Sequence, residues 1–223
     1  MMIKRRDFSA QLALGALAFG PTGSALAQAG FVQGKDFQRL GQVQAAAAGK
    51  IEVIEFFLYT CPHCYAFDPQ LTAWSRQLPT DVSLRRVHVG VGAMHKLHQR
   101  LMFALESLSR LGDLHEAVFK AIHVERLDLS DEKSIAALAV RLGLDGAKFT
   151  AAFNSFSAQS RLAQSAALAE AYRAESVPAL GVGGRFLTGP GMAGRAGQSD
   201  QANGQRTLAV VDHLIQQLRS GKA

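Results

Sequence analysis

The segment Lys50 to Phe67, KIEVIEFFLYTCPHCYAF, limits the possible folds more than any other part of this 223-residue chain. Its first half, Lys50 to Leu58, is dense in β-branched and aromatic residues, the composition of a buried central strand. Its second half changes period, with Phe67, Leu71, Trp74 and Leu78 recurring at helical spacing from Pro62 onward. A strand therefore ends and a helix begins within a few residues. Cys61 and Cys64, the two cysteines of the chain, stand at that junction. Thiols so spaced can form half of a zinc site, an inert disulfide or a redox pair.

Beyond the junction, Pro79 and Thr80 end the helix and Val82 to Val89 alternates as a second strand. From Met94 to Tyr172 the periodicity is helical throughout. Helices are expected at Leu97 to Leu108, Leu114 to Ile122, Ile135 to Leu142 with Gly143 as its stop, Phe149 to Phe156, and Ala158 to Tyr172. Strand character returns at Ala179 to Val182 and Arg185 to Thr188, around a Gly183-Gly184 hairpin turn. Gly189 to Gly204 reads as a glycine-rich loop, and Leu208, Val211, Leu214, Ile215 and Leu218 mark a closing helix. The order predicts an α/β fold: a mixed-sheet domain in two parts, residues 30–93 and 173–223, split by an all-helical insertion over 94–172.

Residues 1–29 have the pattern of an export signal: Lys4, Arg5 and Arg6, an apolar run from Leu12 to Phe19, then small residues allowing cleavage after Ala27 or Ala29. Arg5-Arg6-Asp7-Phe8 resembles a twin-arginine core, and the general secretory route fits as well. The apolar run falls short of the roughly 20 residues a membrane span needs, so the mature chain is expected to be exported and soluble. The formal charge is +6; the signal carries three cations and one anion, net +2, which leaves +4 on the remainder. Such mild basicity, without basic runs interleaved with aromatics, argues against nucleic acid as a partner.

In an oxidising compartment most disulfides close long loops, and a Cys61–Cys64 ring is too small to remove much chain entropy. A zinc site needs two more ligands. No second Cys-x-x-Cys exists, and His88, His95 and His98 match no familiar finger spacing. A redox role has the better physical basis. At the start of a helix the Cys61 sulfur would face unpaired N–H groups and the positive dipole end, which favour the thiolate. Pro62 costs little in the first turn, and His63 can add positive charge or a hydrogen bond. A stabilised thiolate favours the reduced form and makes the disulfide more oxidising. Cys64, one turn further, is expected to be buried and to act later as the resolving thiol. Gly189 to Gly194 spells G-x-G-x-x-G, but no βαβ unit follows, so nucleotide binding is set aside.

EFFLYTCPHCYAF, followed far downstream by SVPAL and a hairpin, resembles the DsbA family of periplasmic thiol-disulfide oxidoreductases over nearly the whole mature chain. The resemblance implies a thioredoxin-like mixed sheet with an inserted all-helical domain. It makes Cys61 the nucleophile and Cys64 its partner, and it puts Glu55 beneath them as a buried proton carrier. A carboxylate inside an apolar strand is costly and needs such a reason, with Arg86 either its counter-charge or solvent-facing. Asp68 is expected to be a solvated helix charge, and His95, His98, His115, His123 and His213 ordinary helix positions. Val177-Pro178 matches the family's cis-proline loop, which would present the Val177 backbone to an extended substrate. The resemblance further implies exported polypeptides as substrates, a quinone-linked membrane reoxidant resembling DsbB, a monomer, and no cofactor beyond the Cys61–Cys64 disulfide. A reductase of the same fold and a non-catalytic peptide-binding module remain the alternatives.

Overall fold

The computed structural model describes residues 30–45, 49–90 and 92–221, so the expected signal at 1–29 lies outside them. The described elements run β1 (Gln38–Arg39), β2 (Ile51–Phe57), α1 (Pro62–Ser75), β3 (Val82–His88), α2 (Ala93–Ser107), α3 (Leu111–His123), α4 (Glu132–Arg141), α5 (Gly146–Phe153), α6 (Phe156–Tyr172), β4 (Ala179–Val182), β5 (Phe186–Thr188), α7 (Pro190–Ala193) and α8 (Asp200–Arg219).

The sheet order is β1-β5-β4-β2-β3. β2 and β3 are parallel and joined through α1, whereas β4 runs antiparallel to β2, so the sheet is mixed. Residues 53–57 of β2 are all buried, including Glu55. Covering on both faces explains why the buried part of this strand is apolar on both sides without polar alternation, Glu55 being its one polar side chain. Gly183 and Gly184 both have positive φ, 57° and 70°, as a type I′ turn between β4 and β5 requires. They bring Ala179–Val182 and Phe186–Thr188 into register, with Val182 opposite Phe186.

α2 to α6 form the helical insertion between β3 and β4. Its core is continuous with the strand-to-helix junction: Phe57, Tyr59 and Cys64 belong to the same buried cluster as Leu101, Leu105, Val118, Phe119, Leu138 and Phe149. The other face of the sheet packs Val53, Leu180, Val182 and Phe186 against Phe67, Leu71, Val211 and Leu214 of α1 and α8.

Several expected boundaries move. α1 stops at Ser75, before Pro79, and passes through Pro69, which has no N–H to offer the Tyr65 carbonyl; Pro69 is exposed, so water can serve that carbonyl instead. The fourth insertion helix ends at Phe153, because Ser155 caps the next helix through its side chain, and Phe156 begins α6. The supposed loop over 189–204 contains the short α7 and the first residues of α8, whose N-cap is Ser199. Gly204 lies inside α8 at a close approach, where a Cβ would come within 2.6 Å of the Gln70 side chain on α1.

Candidate active site

Cys61 is the N-cap of α1, with extended backbone at φ −81° and ψ 118°, and Pro62 follows at the first helical position. The Cys64 N–H donates to the Cys61 sulfur across 3.4 Å, which answers one of the unpaired donors of the first turn. On its other side, Cys61 Sγ lies 3.7 Å from the Val177 carbonyl, to which its thiol form donates. The Val177-Pro178 peptide is cis, as the family pattern implied.

The two sulfurs have opposite environments. The Cys61 thiol is brought down to about 6, first by the hydrogen bond from the Cys64 side chain, against partial burial, and then by the Cys64 and His63 backbone N–H groups and the His63 charge. Cys64 is wholly buried, and its thiol is pushed far up by that burial and by its hydrogen bond to Cys61. Near neutral pH one sulfur is a thiolate and the other a protected thiol. Cys61 and Cys64 are both free thiols in the structure.

His63 projects into solvent, its side chain 68% exposed, and its Nδ1 lies 3.5 Å from Asp200 Oδ1 at the start of α8. Its influence on Cys61 is therefore charge and backbone N–H, and its ring turns toward Asp200. A cavity of about 250 Å³ adjoins it, lined by His63, Phe67, Val177, Pro178, Pro190 and Asp200 among others.

Beneath the helix, Glu55 is fully buried and pairs with Arg86, Nε to Oε2 at 3.0 Å. Arg86 is thus the counter-charge. Burial raises the Glu55 carboxyl to about 7 despite the attraction of Arg86, with the Asp68 charge adding to the rise. Asp68 corrects the expectation of a solvated charge. It is 4% exposed, 3.0 Å from the second Arg86 nitrogen and 3.3 Å from His115 Nε2. Burial raises its carboxyl, but the His115 hydrogen bond and charge and the Arg86 charge outweigh that and hold it below the usual value. His115 does lie on a helix, α3, but it is more than an ordinary helix position: it is buried, and its Nδ1 lies 2.9 Å from the Tyr59 hydroxyl.

The missed residues did leave sequence signals. Asp68 stands four residues after Cys64, on the same helix face and beside Phe67; His115 lies on the stripe of Val118, Phe119 and Ile122. Likewise His88 and His98 are buried: His88 Nε2 accepts the Tyr59 N–H at 3.1 Å, and His98 Nε2 is 2.9 Å from the Leu129 carbonyl. Glu55, Asp68 and His115 bring potential ligand atoms within 4.8 Å of one another. Arg86 already contacts both carboxylates, and a fixed guanidinium there opposes a second cation.

The chain is similar to known proteins over most of its length. The family model described as a DSBA-like thioredoxin domain matches residues 80–194, beginning after the cysteine pair. Thiol:disulfide interchange protein DsbA of Bordetella parapertussis is 45% identical over 171 residues, 77% of this chain and 78% of the relative. The DsbA of Azotobacter vinelandii is 35% identical over 206 residues, 92% of each chain. Among solved structures, Pseudomonas aeruginosa DsbA superposes with a TM-score of 0.79 at 34% identity, covering 86% of this chain and 96% of that one. Relatives this similar across the cysteine junction, the sheet and the inserted helices settle the matter: the chain belongs to the DsbA family of thiol:disulfide oxidoreductases, with a thioredoxin-like fold.

Proposed function

We propose that the protein works as an oxidase, donating the Cys61–Cys64 disulfide to newly exported polypeptides in the periplasm through a mixed-disulfide intermediate. The observation that carries this reading is the unequal pair of sulfurs: Cys61 favours the thiolate at about 6 while burial keeps Cys64 protonated. Stabilising the reduced state in this way makes the oxidised state a strong donor.

In the proposed cycle a substrate thiolate attacks Cys61 Sγ and the Cys61–Cys64 bond breaks, with its electron pair going to Cys64. A second substrate thiolate then attacks the substrate sulfur of the mixed disulfide, and Cys61 leaves as a stabilised thiolate. Pro62 and His63 shape the Cys61 environment. Glu55 supplies the proton that Cys64 needs, its carboxyl at about 7 being poised to give and take protons near neutral pH. Val177 and Pro178, lining the cavity beside His63, receive the substrate as an added strand. The Cys61–Cys64 pair carries the electrons without a further cofactor. A quinone-linked membrane protein resembling DsbB reoxidises a monomeric enzyme.

Two variants test the cycle. Cys64→Ala should trap a covalent mixed disulfide when its Cys61 thiolate attacks the disulfide of an oxidised, unfolded substrate and releases one substrate thiolate, detected as a reductant-sensitive mass shift. Cys61→Ala should oxidise nothing above background; rates equal to wild type would remove the cycle.

A further inference from the structure

Beneath Cys64 lie buried polar atoms with no well-aligned partner: both Glu55 oxygens, Arg86 Nε and His115 Nε2. Buried groups of this kind are rare and call for a functional or structural reason. They come from three separate elements, β2, β3 and α3, and converge around Asp68 of α1. Glu55 is fully enclosed and has no exposed surface of its own. A carboxyl that gives up its proton on each turnover has to be resupplied. A cavity of about 470 Å³ reaches this cluster, lined by Asp68, Thr72, Arg86, His115 and Glu116 among others. Glu55 does not line it; His115 does.

We propose that His115, delivered by the helical insertion, is the residue through which Glu55 exchanges protons with solvent each time the Cys61–Cys64 pair changes redox state. The inference rests on the Glu55 reading given under Proposed function and extends it outward. His115 acts through Glu55 and does not touch the sulfurs. Its Nδ1 is anchored on the Tyr59 hydroxyl, 2.9 Å away, and Asp68 holds Nε2 from 3.3 Å. In the charged ring Nε2–H donates to Asp68, and loss of that proton leaves the neutral ring with Nδ1–H on the Tyr59 hydroxyl, so Nε2 is the working end. The Glu55, Asp68 and His115 polar atoms lie within 4.8 Å of one another, a span that one bridging water covers.

The step balances. When the disulfide opens, the electron pair of the broken S–S bond resides on Cys64 Sγ, which takes the Glu55 proton and becomes a thiol. His115, protonated on Nε2 by water of the cavity, passes that proton to the Glu55 carboxylate and returns to the neutral ring. Reoxidation runs the same transfers in reverse. The groups facing the ring are Asp68 from α1, Glu55 and Tyr59 from β2 and its following turn, Arg86 and His88 from β3, and Glu116 beside it on α3. Burial, opposed by the Asp68 hydrogen bond and aided by the Arg86 charge, holds the His115 imidazolium below its ordinary value, so the charged ring gives its proton up readily to Glu55.

The test is stopped-flow reduction of the oxidised full chain by dithiothreitol at pH 8, followed by intrinsic fluorescence, for wild type, His115→Gln, His115→Ala and Glu55→Gln. At that pH the Glu55 carboxyl, at about 7, starts ionised and has to take up a proton before it can give one to Cys64. His115→Gln and His115→Ala should each be slowed on the order of 100-fold, the lower range for general acid–base transfer. Added imidazole should restore the alanine variant, and the Cys61 thiolate absorbance titration should stay where wild type has it. Wild-type rates in the histidine variants, or slowing that imidazole does not relieve, would overturn the inference. Should His115→Ala fail to fold, His115→Gln decides by its rate together with an unmoved Cys61 titration. Glu55→Gln separates the two layers: a wild-type rate there removes the Glu55 relay itself, whereas slow Glu55→Gln beside fast His115 variants removes only the His115 step.

Discussion

His63 bears on Cys61 through charge and one backbone N–H, so replacing its side chain should remove only part of the thiolate stabilisation. His63→Ser is expected to raise the Cys61 pKa and to make the disulfide less oxidising, by about 30 mV for each tenfold loss in thiolate preference. A thiolate absorbance titration and equilibration with glutathione check both, and an unchanged potential would dismiss the role. At this scale the sequence was uneven. Cys61, Cys64 and Glu55 could be found because each breaks a local rule: a small ring that makes a poor staple, and a carboxylate inside an apolar strand. Asp68 and His115 break no rule on their own. A helix tolerates polar residues on any face, and what makes these two significant is their meeting across 3.3 Å from separate helices.

Among the elements, α3 carries more than packing. Phe119 is fully buried and its ring lies 5.1 Å from the centroids of both Tyr59 and His115, so it props the insertion against the turn that leads into Cys61. Phe119→Ala should cost about 3–5 kcal/mol in unfolding free energy by leaving a cavity there, measured by urea titration of wild type and variant. Element identities were legible wherever a period ran for several turns or a turn had only one solution, as at Gly183-Gly184. Boundaries and short elements were not. β1 is two residues long, too brief to show any alternation, and it exists because β5 offers it an edge. The start of α8 was hidden by Gly204, whose presence reflects the nearness of Gln70 on α1 and not a wish to leave the helix.

For the whole molecule, redox state and folding stability are linked through Cys61. Its pKa falls from 9.0 to about 6 in the fold, so its thiolate stabilises the reduced protein fully above 9, progressively less as pH falls toward 6, and not at all below that. The oxidised protein has no such titration. The melting temperature of the reduced form minus that of the oxidised form should therefore rise between pH 6 and 9, and differential scanning calorimetry of both forms across that window checks it; a flat difference would mean that the fold does not favour the thiolate. Cys64, with its pKa raised, works against the reduced form only above about 9. The two-part sheet with a helical insertion was foreseeable from the order of patterns. That the insertion core and the cysteine junction are one cluster was not, because periodicity tells which face of a helix is apolar and is silent on what covers it.

The glycines of Gly189 to Gly194 have unequal surroundings. A Cβ at Gly189 would stand 2.7 Å from the Pro178 carbonyl, and one at Gly194 2.3 Å from that of Pro190, whereas one at Gly191 would meet nothing within 4 Å. Gly191 nonetheless lines two cavities beside Pro178, of about 320 and 250 Å³. The outer glycines are closed to variation and the middle one is open. Position 191 is thus a natural place to graft a side chain that retunes which polypeptides are accepted, leaving the cysteines and their proton supply as they stand.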